Sequence, residues 1–268
     1  MKKLNSLLYL VFLCFCTTLT AQDDIILYKV DSLRNHNAIS LNYWLDTFSE
    51  VYKPRHFTSL DYKKKIKAGA FIARLNYVNR FNMEDYSFEI EAYPKINDKM
   101  YALVNYAGSF NNTLLPKNRF GLELFHIIFK TYEASFGYRY LKFDSRENNI
   151  YTVSLGKYYK HYWFNFRTYI TTSNGSTSYS HNAIARYYFN GSPMTHLSFN
   201  IAYGTYFEQL NLGDVFGDSF GLEANSQLRL SNKLFLRLAL SYRREEILFS
   251  PDDYLSRYSF KFGLKNIF

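Results

Sequence analysis

Cysteine is almost absent from this chain: its 268 residues contain two, Cys14 and Cys16, both inside the first twenty-one. Beyond that leader there can be no disulfide framework, thiol nucleophile or cysteine-based metal site. Proline is also scarce, with five residues, and methionine with four. After residue 21 no apolar run is long enough for a membrane-spanning helix, which needs ~20 residues, and mean hydropathy is only −0.28. Basic helices are missing too, and the one lysine run, Lys63-Lys-Lys65, is short. The formal charge of +9, or +7 once Lys2 and Lys3 of the leader are set aside, therefore does not point to nucleic acid.

What the chain has in abundance is tyrosine and phenylalanine, 26 and 25 residues. In the last eleven residues, Tyr258, Phe260, Phe262, Leu264 and Phe268 share one parity and Ser259, Lys261, Gly263 and Lys265 the other. Period two means a strand with one apolar and one polar face. An exposed greasy terminal strand is a liability in water. It suits the closing strand of an outer-membrane barrel, apolar toward lipid, polar toward the lumen and aromatic at the interface.

The leader agrees with export. Met1-Lys-Lys is a basic n-region, Leu7 to Cys16 an apolar h-region, and Thr17 to Ala21 a small, polar approach to a cleavage site. Residues 1–21 read as a Sec signal peptide cut near Ala21. Residues 22–37 read as a short periplasmic segment, and 38–268 as one all-β, transmembrane antiparallel barrel with no plug domain.

Alternation places about fourteen strands (twelve to sixteen) near 38–48, 57–66, 68–81, 85–94, 99–109, 118–128, 131–143, 149–158, 161–171, 177–189, 194–206, 218–231, 233–244 and 255–268. Connections read as alternating between short turns and longer polar loops, the latter at 49–56, 111–117, 144–148, 173–176, 208–217 and 245–253, with a short exception at Asn82–Glu84. An even strand count puts both termini in the periplasm.

Several segments in order carry a family resemblance: Ile72-Ala-Arg-Leu-Asn-Tyr77, Phe88-Glu-Ile-Glu-Ala-Tyr-Pro94, Gly121-Leu-Glu-Leu-Phe125, Glu133-Ala-Ser-Phe-Gly-Tyr-Arg-Tyr-Leu141, Tyr151-Thr-Val-Ser-Leu-Gly-Lys-Tyr-Tyr159, Tyr162-Trp163 and Ala185-Arg-Tyr-Tyr-Phe189. On these the chain resembles the YaiO-type outer-membrane β-barrel family. The resemblance implies an outer-membrane location and a barrel fold, and little about activity. Some relatives carry a helical-repeat region ahead of the barrel, for which residues 22–37 are too short.

Parity sends a set of charges inward: Arg74, Glu89, Glu91, Arg119, Glu123, Glu133, Arg139, Arg167, Arg186, Glu223, Arg229, Arg237, Arg243, Arg257 and Lys261. Acids concentrate at 89–91, 123 and 133, and bases dominate from 139 onward. Such charges form either a structural network of ion pairs or a constriction whose separated walls orient a solute, and the two can coexist. The leading expectation is a passive pore or export channel for a small polar or saccharide-type solute. A surface protein binding a partner through loops 111–117, 208–217 and 245–253 is the alternative, and a lipid-modifying enzyme the third.

Catalysis has little support. Ser180 and His181 are adjacent but on opposite strand faces, His126, His161 and His196 fall at strand ends, His36 and His56 lie outside strands, and no G-x-S-x-G occurs. Gly213–Asp218 lacks the terminal Glu of a calcium loop. No metal or cofactor is expected. The expected partners are outer-membrane lipid, the barrel-assembly machinery through the strand ending at Phe268, and cell-surface polysaccharide.

Overall fold

A computed structural model describes residues 36–49, 53–205, 217–247 and 250–268. The signal peptide, nearly all of segment 22–37 and most of the 208–217 loop lie outside the described residues. Fourteen strands are formed: β1 Ala38–Phe48, β2 Arg55–Ile66, β3 Gly69–Arg80, β4 Met83–Pro94, β5 Met100–Ser109, β6 Asn118–Ile128, β7 Tyr132–Lys142, β8 Glu147–Tyr159, β9 Tyr162–Ser173, β10 Ser176–Tyr188, β11 His196–Thr205, β12 Asp218–Arg229, β13 Leu234–Ile247 and β14 Ser250–Ile267. Each pairs with its sequence neighbours, and β1 closes the barrel on β14, from Ala38 opposite Ile267 to Phe48 opposite Arg257. Closure leaves no strand edge with unpaired backbone groups, which a bilayer would penalise.

The barrel is inside out relative to a soluble protein. Leu41, Leu75, Phe136, Val153, Phe199, Leu240 and Phe260 are exposed, while Asn42, Asp46, Asn76, Glu89, Glu123 and Asn165 are buried. Covering a large apolar side chain is worth about 1.5–3 kcal/mol. A belt of them on the outer wall therefore calls for lipid.

At the loop end the belt finishes in a tyrosine girdle. The hydroxyls of Tyr43, Tyr77, Tyr106 and Tyr138 reach His56 Nδ1 (2.7 Å), Glu84 Oε1 (2.9 Å), Asn118 Oδ1 (2.8 Å) and Asn149 Oδ1 (2.7 Å). An apolar ring with one wet tip suits a membrane interface.

Two expectations need correction. Segment 245–253 is not an open loop. β13 continues to Ile247 and β14 begins at Ser250, with Glu245 opposite Leu255 and a register shift between Glu246 and Ile247. The strands run on past the apolar belt, where a polar outer face costs nothing. Connection lengths also alternate less than expected. Asn174-Gly175, both with positive φ (46° and 81°), makes a two-residue turn at the loop end, as type I′ geometry demands. The other end carries a longer segment between β10 and β11 containing the turn Phe189–Gly191.

That segment turns inward. Its Met194 packs with Ala38, Phe235 and Ile267 in a buried cluster. Gln227 Nε2 donates to the Met194 carbonyl at 2.6 Å, so the lumen is narrowed at the end carrying β1's first residue.

Candidate functional site

The lumen is the site, and strand register builds it. Asp61 on β2, Arg74 on β3 and Glu89 on β4 stand opposite one another in a row. Arg74 donates to Asp61 (2.7 Å), Glu89 (2.9 Å) and Glu91 (3.0 Å). Arg119 on β6 reaches Glu89 Oε1 at 2.5 Å, and Asn105 Nδ2 donates to the same oxygen at 2.7 Å. Glu91 also accepts from the Tyr93 hydroxyl at 3.1 Å.

A second cluster centres on Glu123 of β6, which is 3% exposed yet contacts β7 and β9. It accepts from Ser135 Oγ (2.6 Å) and Arg167 Nη2 (2.7 Å), while Arg139 stands off at 3.8 Å. Gly137, between Glu123 and Thr152 in the register, makes this reach possible. A Cβ there would lie 2.4 Å from Thr152 Oγ1 and 2.9 Å from Glu123 Cγ.

On the opposite wall Arg257 meets Glu245 at 2.7 Å, Lys261 meets Glu223 at 2.8 Å, and Arg55 Nε donates to Asp46 at 2.6 Å. Arg243 lies 4.0 Å from Glu245. Glu133 is buried and accepts from the Tyr101 hydroxyl at 3.0 Å. Arg186 and Arg237 are held by neutral acceptors, Ser198 Oγ (2.8 Å) for the first and Gln227 Oε1 (3.1 Å) and Asn42 Oδ1 (3.3 Å) for the second. Arg229 stands at the mouth, exposed, over the Phe235 ring at 5.7 Å.

The acids and bases are thus not segregated as read from sequence order. Glu89 and Glu91 of β4 and Glu123 of β6 each have an arginine of another strand against them. The basic surplus collects around β10, β13 and β14.

These walls enclose connected space. A cavity of about 590 Å³ runs between Arg74, Glu89, Arg119, Arg139 and Arg237. A second of about 320 Å³ lies among Arg55, Glu223, Arg243 and Arg257. Trp44 borders both, along with a third of about 280 Å³ beside His196 and Arg237.

The β5–β6 loop folds into this space instead of standing outside as a partner-binding loop. The Asp85 carboxylate, fully buried on β4, accepts from Ser109 Oγ (2.5 Å) and the backbone amides of Tyr86 (2.8 Å), Asn111 (3.2 Å), Leu114 (3.1 Å) and Leu115 (3.0 Å). Leu114 packs on Val78 inside the wall, and Leu115 and Pro116 border the 590 Å³ cavity.

Sequence reasoning passed over Asp61, Asp85, Asp46, Arg55, Trp44 and Lys265. Asp61 lies in Leu60-Asp-Tyr-Lys-Lys-Lys-Ile66, where charges fall on both faces and blur the parity. His56 belongs to β2, and His196 points into the lumen at the β11 terminus, not to the interface. Neighbouring positions 180 and 181 face opposite ways, and among the described residues no cluster of His, Cys, Asp and Glu could hold a metal.

The comparisons with known proteins bear on fold and family. A bacterial polysaccharide outer-membrane secretin superposes with a TM-score of 0.58 at 8% identity, covering 88% of this chain and 99% of that one. The CymD monoaromatic hydrocarbon channel gives 0.58 at 7%, covering 91% and 92%. The Acinetobacter baumannii outer-membrane protein Omp33 gives 0.52 at 10%, covering 88% and 100%. At such identities the likeness concerns the barrel alone. No curated protein matches the sequence. The YaiO membrane beta barrel domain matches residues 36–209, well over half the chain. Inside-out burial, closure and this match support an outer-membrane location, and the chain belongs to the YaiO membrane β-barrel family.

Proposed function

We propose that this barrel is an outer-membrane pore or transport channel for a small polar or saccharide-type solute, and that it is not an enzyme. The observation that carries this reading is the set of adjoining cavities within the lumen, walled by ion pairs and amides and all bordered by Trp44. Side chains fill barrels of about eight strands, whereas larger ones leave internal space; at fourteen strands this one retains it. Rows such as Asp61–Arg74–Glu89 offer paired donors and acceptors of the kind that exchange hydrogen bonds with sugar hydroxyls. The outer-membrane channels of like fold are consistent with passage, and the polysaccharide secretin with an export version of it.

The lipid-facing wall makes bilayer lipid a natural partner, and the alternating apolar face of the closing strand β14 suits recognition by the barrel-assembly machinery. The adhesive alternative loses two of its three loops, since 111–117 folds inward and most of 245–253 is strand.

Liposome swelling tests the proposal. Vesicles holding the refolded protein should admit glucose, sucrose and raffinose at rates that fall with size. Folded protein that admits none of them would refute it.

A further inference from the structure

Among the described residues, one corner of the lumen gathers cations that no carboxylate pairs. On β13 and β14, Arg237 stands two residues above Phe235, which is directly opposite Lys265. That diagonal spacing is about 7–8 Å. Lys265 is buried, at 9% exposure, and makes no ion pair with a described residue. Arg237 has no carboxylate partner, and its two neutral acceptors leave most of its five N–H donors unused. Arg186, held by Ser198 and set over the Trp163 ring at 5.0 Å, is without a carboxylate as well. The charges of Arg186, Arg237 and Lys265 all act on His196, whose Nδ1 is buried without a partner.

The nearest acids are already engaged. Glu223 is taken by Lys261 (2.8 Å) and Asn225 (3.1 Å), and Asp61 by Arg74 (2.7 Å) and Asn42 (3.2 Å). Gly263, between Arg237 and Asn42 in the register, keeps the corner open. A Cβ there would fall 2.5 Å from Asn42 Oδ1. The result is the 280 Å³ cavity lined by His196, Gln227 and Arg237 together with the Glu223–Lys261 ion pair, with Lys265 and Arg186 outside its lining. Buried cations are costly unless an anion or a full set of acceptors compensates them, and the fixed guanidinium fork matches an oxyanion.

We propose that this corner is a binding site for the oxyanion of an acidic solute, a carboxylate, sulfate or phosphate group borne by a saccharide or free in solution. This rests on the channel reading and narrows it to anionic cargo. Trp44, on the rim of the same cavity, offers a ring for a sugar to stack on.

Calorimetry on the folded protein in nanodiscs tests it with three probes: a hyaluronan tetrasaccharide, neutral chitotetraose and inorganic sulfate. The acidic probes should bind at least about tenfold more tightly than the neutral one and weaken at high salt. Arg237→Gln and Lys265→Gln should each lower affinity about tenfold, with Lys233→Gln in the β12–β13 turn as an unaffected control; heat-modifiable gel migration establishes that each variant is folded. A saccharide-borne group is identified if hyaluronan outbinds sulfate and loses affinity in Trp44→Phe. Equal binding of the two acidic probes identifies a free anion. Neutral sugar binding as tightly as acidic, or wild-type affinity in both folded variants, overturns the inference. Selective acidic binding by a barrel that does not conduct would sustain the site and refute the channel. Conduction without acidic binding would refute the site alone.

Discussion

Substituting Asp85 with Asn should release the loop that constricts the lumen. One carboxylate oxygen accepts from the amides of Leu114 and Leu115, the other from Ser109 Oγ and the amides of Tyr86 and Asn111. Asparagine keeps a single acceptor oxygen. Whichever way its amide turns, an NH₂ group faces donors. A hydrogen bond to a charged group contributes about 1.5–3 kcal/mol, and such contributions overlap, so the loop should lose about 2–4 kcal/mol of closure energy. Local opening then becomes roughly 30- to 900-fold more frequent. Hydrogen exchange read by mass spectrometry should show the amides of Asn111, Leu114 and Leu115 losing protection by that factor. Amides of β11, on the far wall, should be unchanged. Conductance should rise as Leu115 and Pro116 leave the cavity. Unchanged protection at Leu114 and Leu115 would refute the clamp.

Gly137→Ala should destabilise the barrel by about 1–3 kcal/mol in urea unfolding from vesicles, because its methyl would meet Thr152 Oγ1 at 2.4 Å and crowd Glu123. Glu123→Gln should cost about 3–5 kcal/mol in the same assay, since it leaves the buried guanidinium of Arg167 without its anion. His36, just before β1, is held below its ordinary pKa by burial and then by Lys63, Lys265 and Lys65. The folded state therefore binds fewer protons than the unfolded one near its ordinary pKa, and stability falls as pH drops through that value. An NMR titration should place its midpoint below about 6.5, and His36→Gln should remove that part of the acid-side loss.

The strands were legible because lipid and lumen impose opposite demands on alternate residues. β1 and β6 begin and end where alternation begins and ends. Legibility failed where one of those demands lapses. Beyond the membrane, Arg244, Glu246 and Tyr254 need no apolar outer face, so the paired tip of β13 and β14 read as loop. The inward charges could be assigned by parity, but their partners could not. Whether Arg167 meets Glu123 depends on a register that brings β6 and β9 together over Gly137, which no local pattern encodes. Asp85 reads as an ordinary strand acid, and only Leu114-Leu115-Pro116, apolar within a polar loop, hinted that the segment turns inward.

The most direct test of the account is single-channel recording of the refolded protein in a planar bilayer, with the reversal potential measured in a salt gradient. Arg139 borders the 590 Å³ cavity and stands 3.8 Å from Glu123, so its charge faces the solute path with only a loose partner. The account predicts steady conductance that favours anions, and a shift toward cations in Arg139→Glu. A folded barrel that stays silent, or one whose reversal potential ignores that charge reversal, would contradict it.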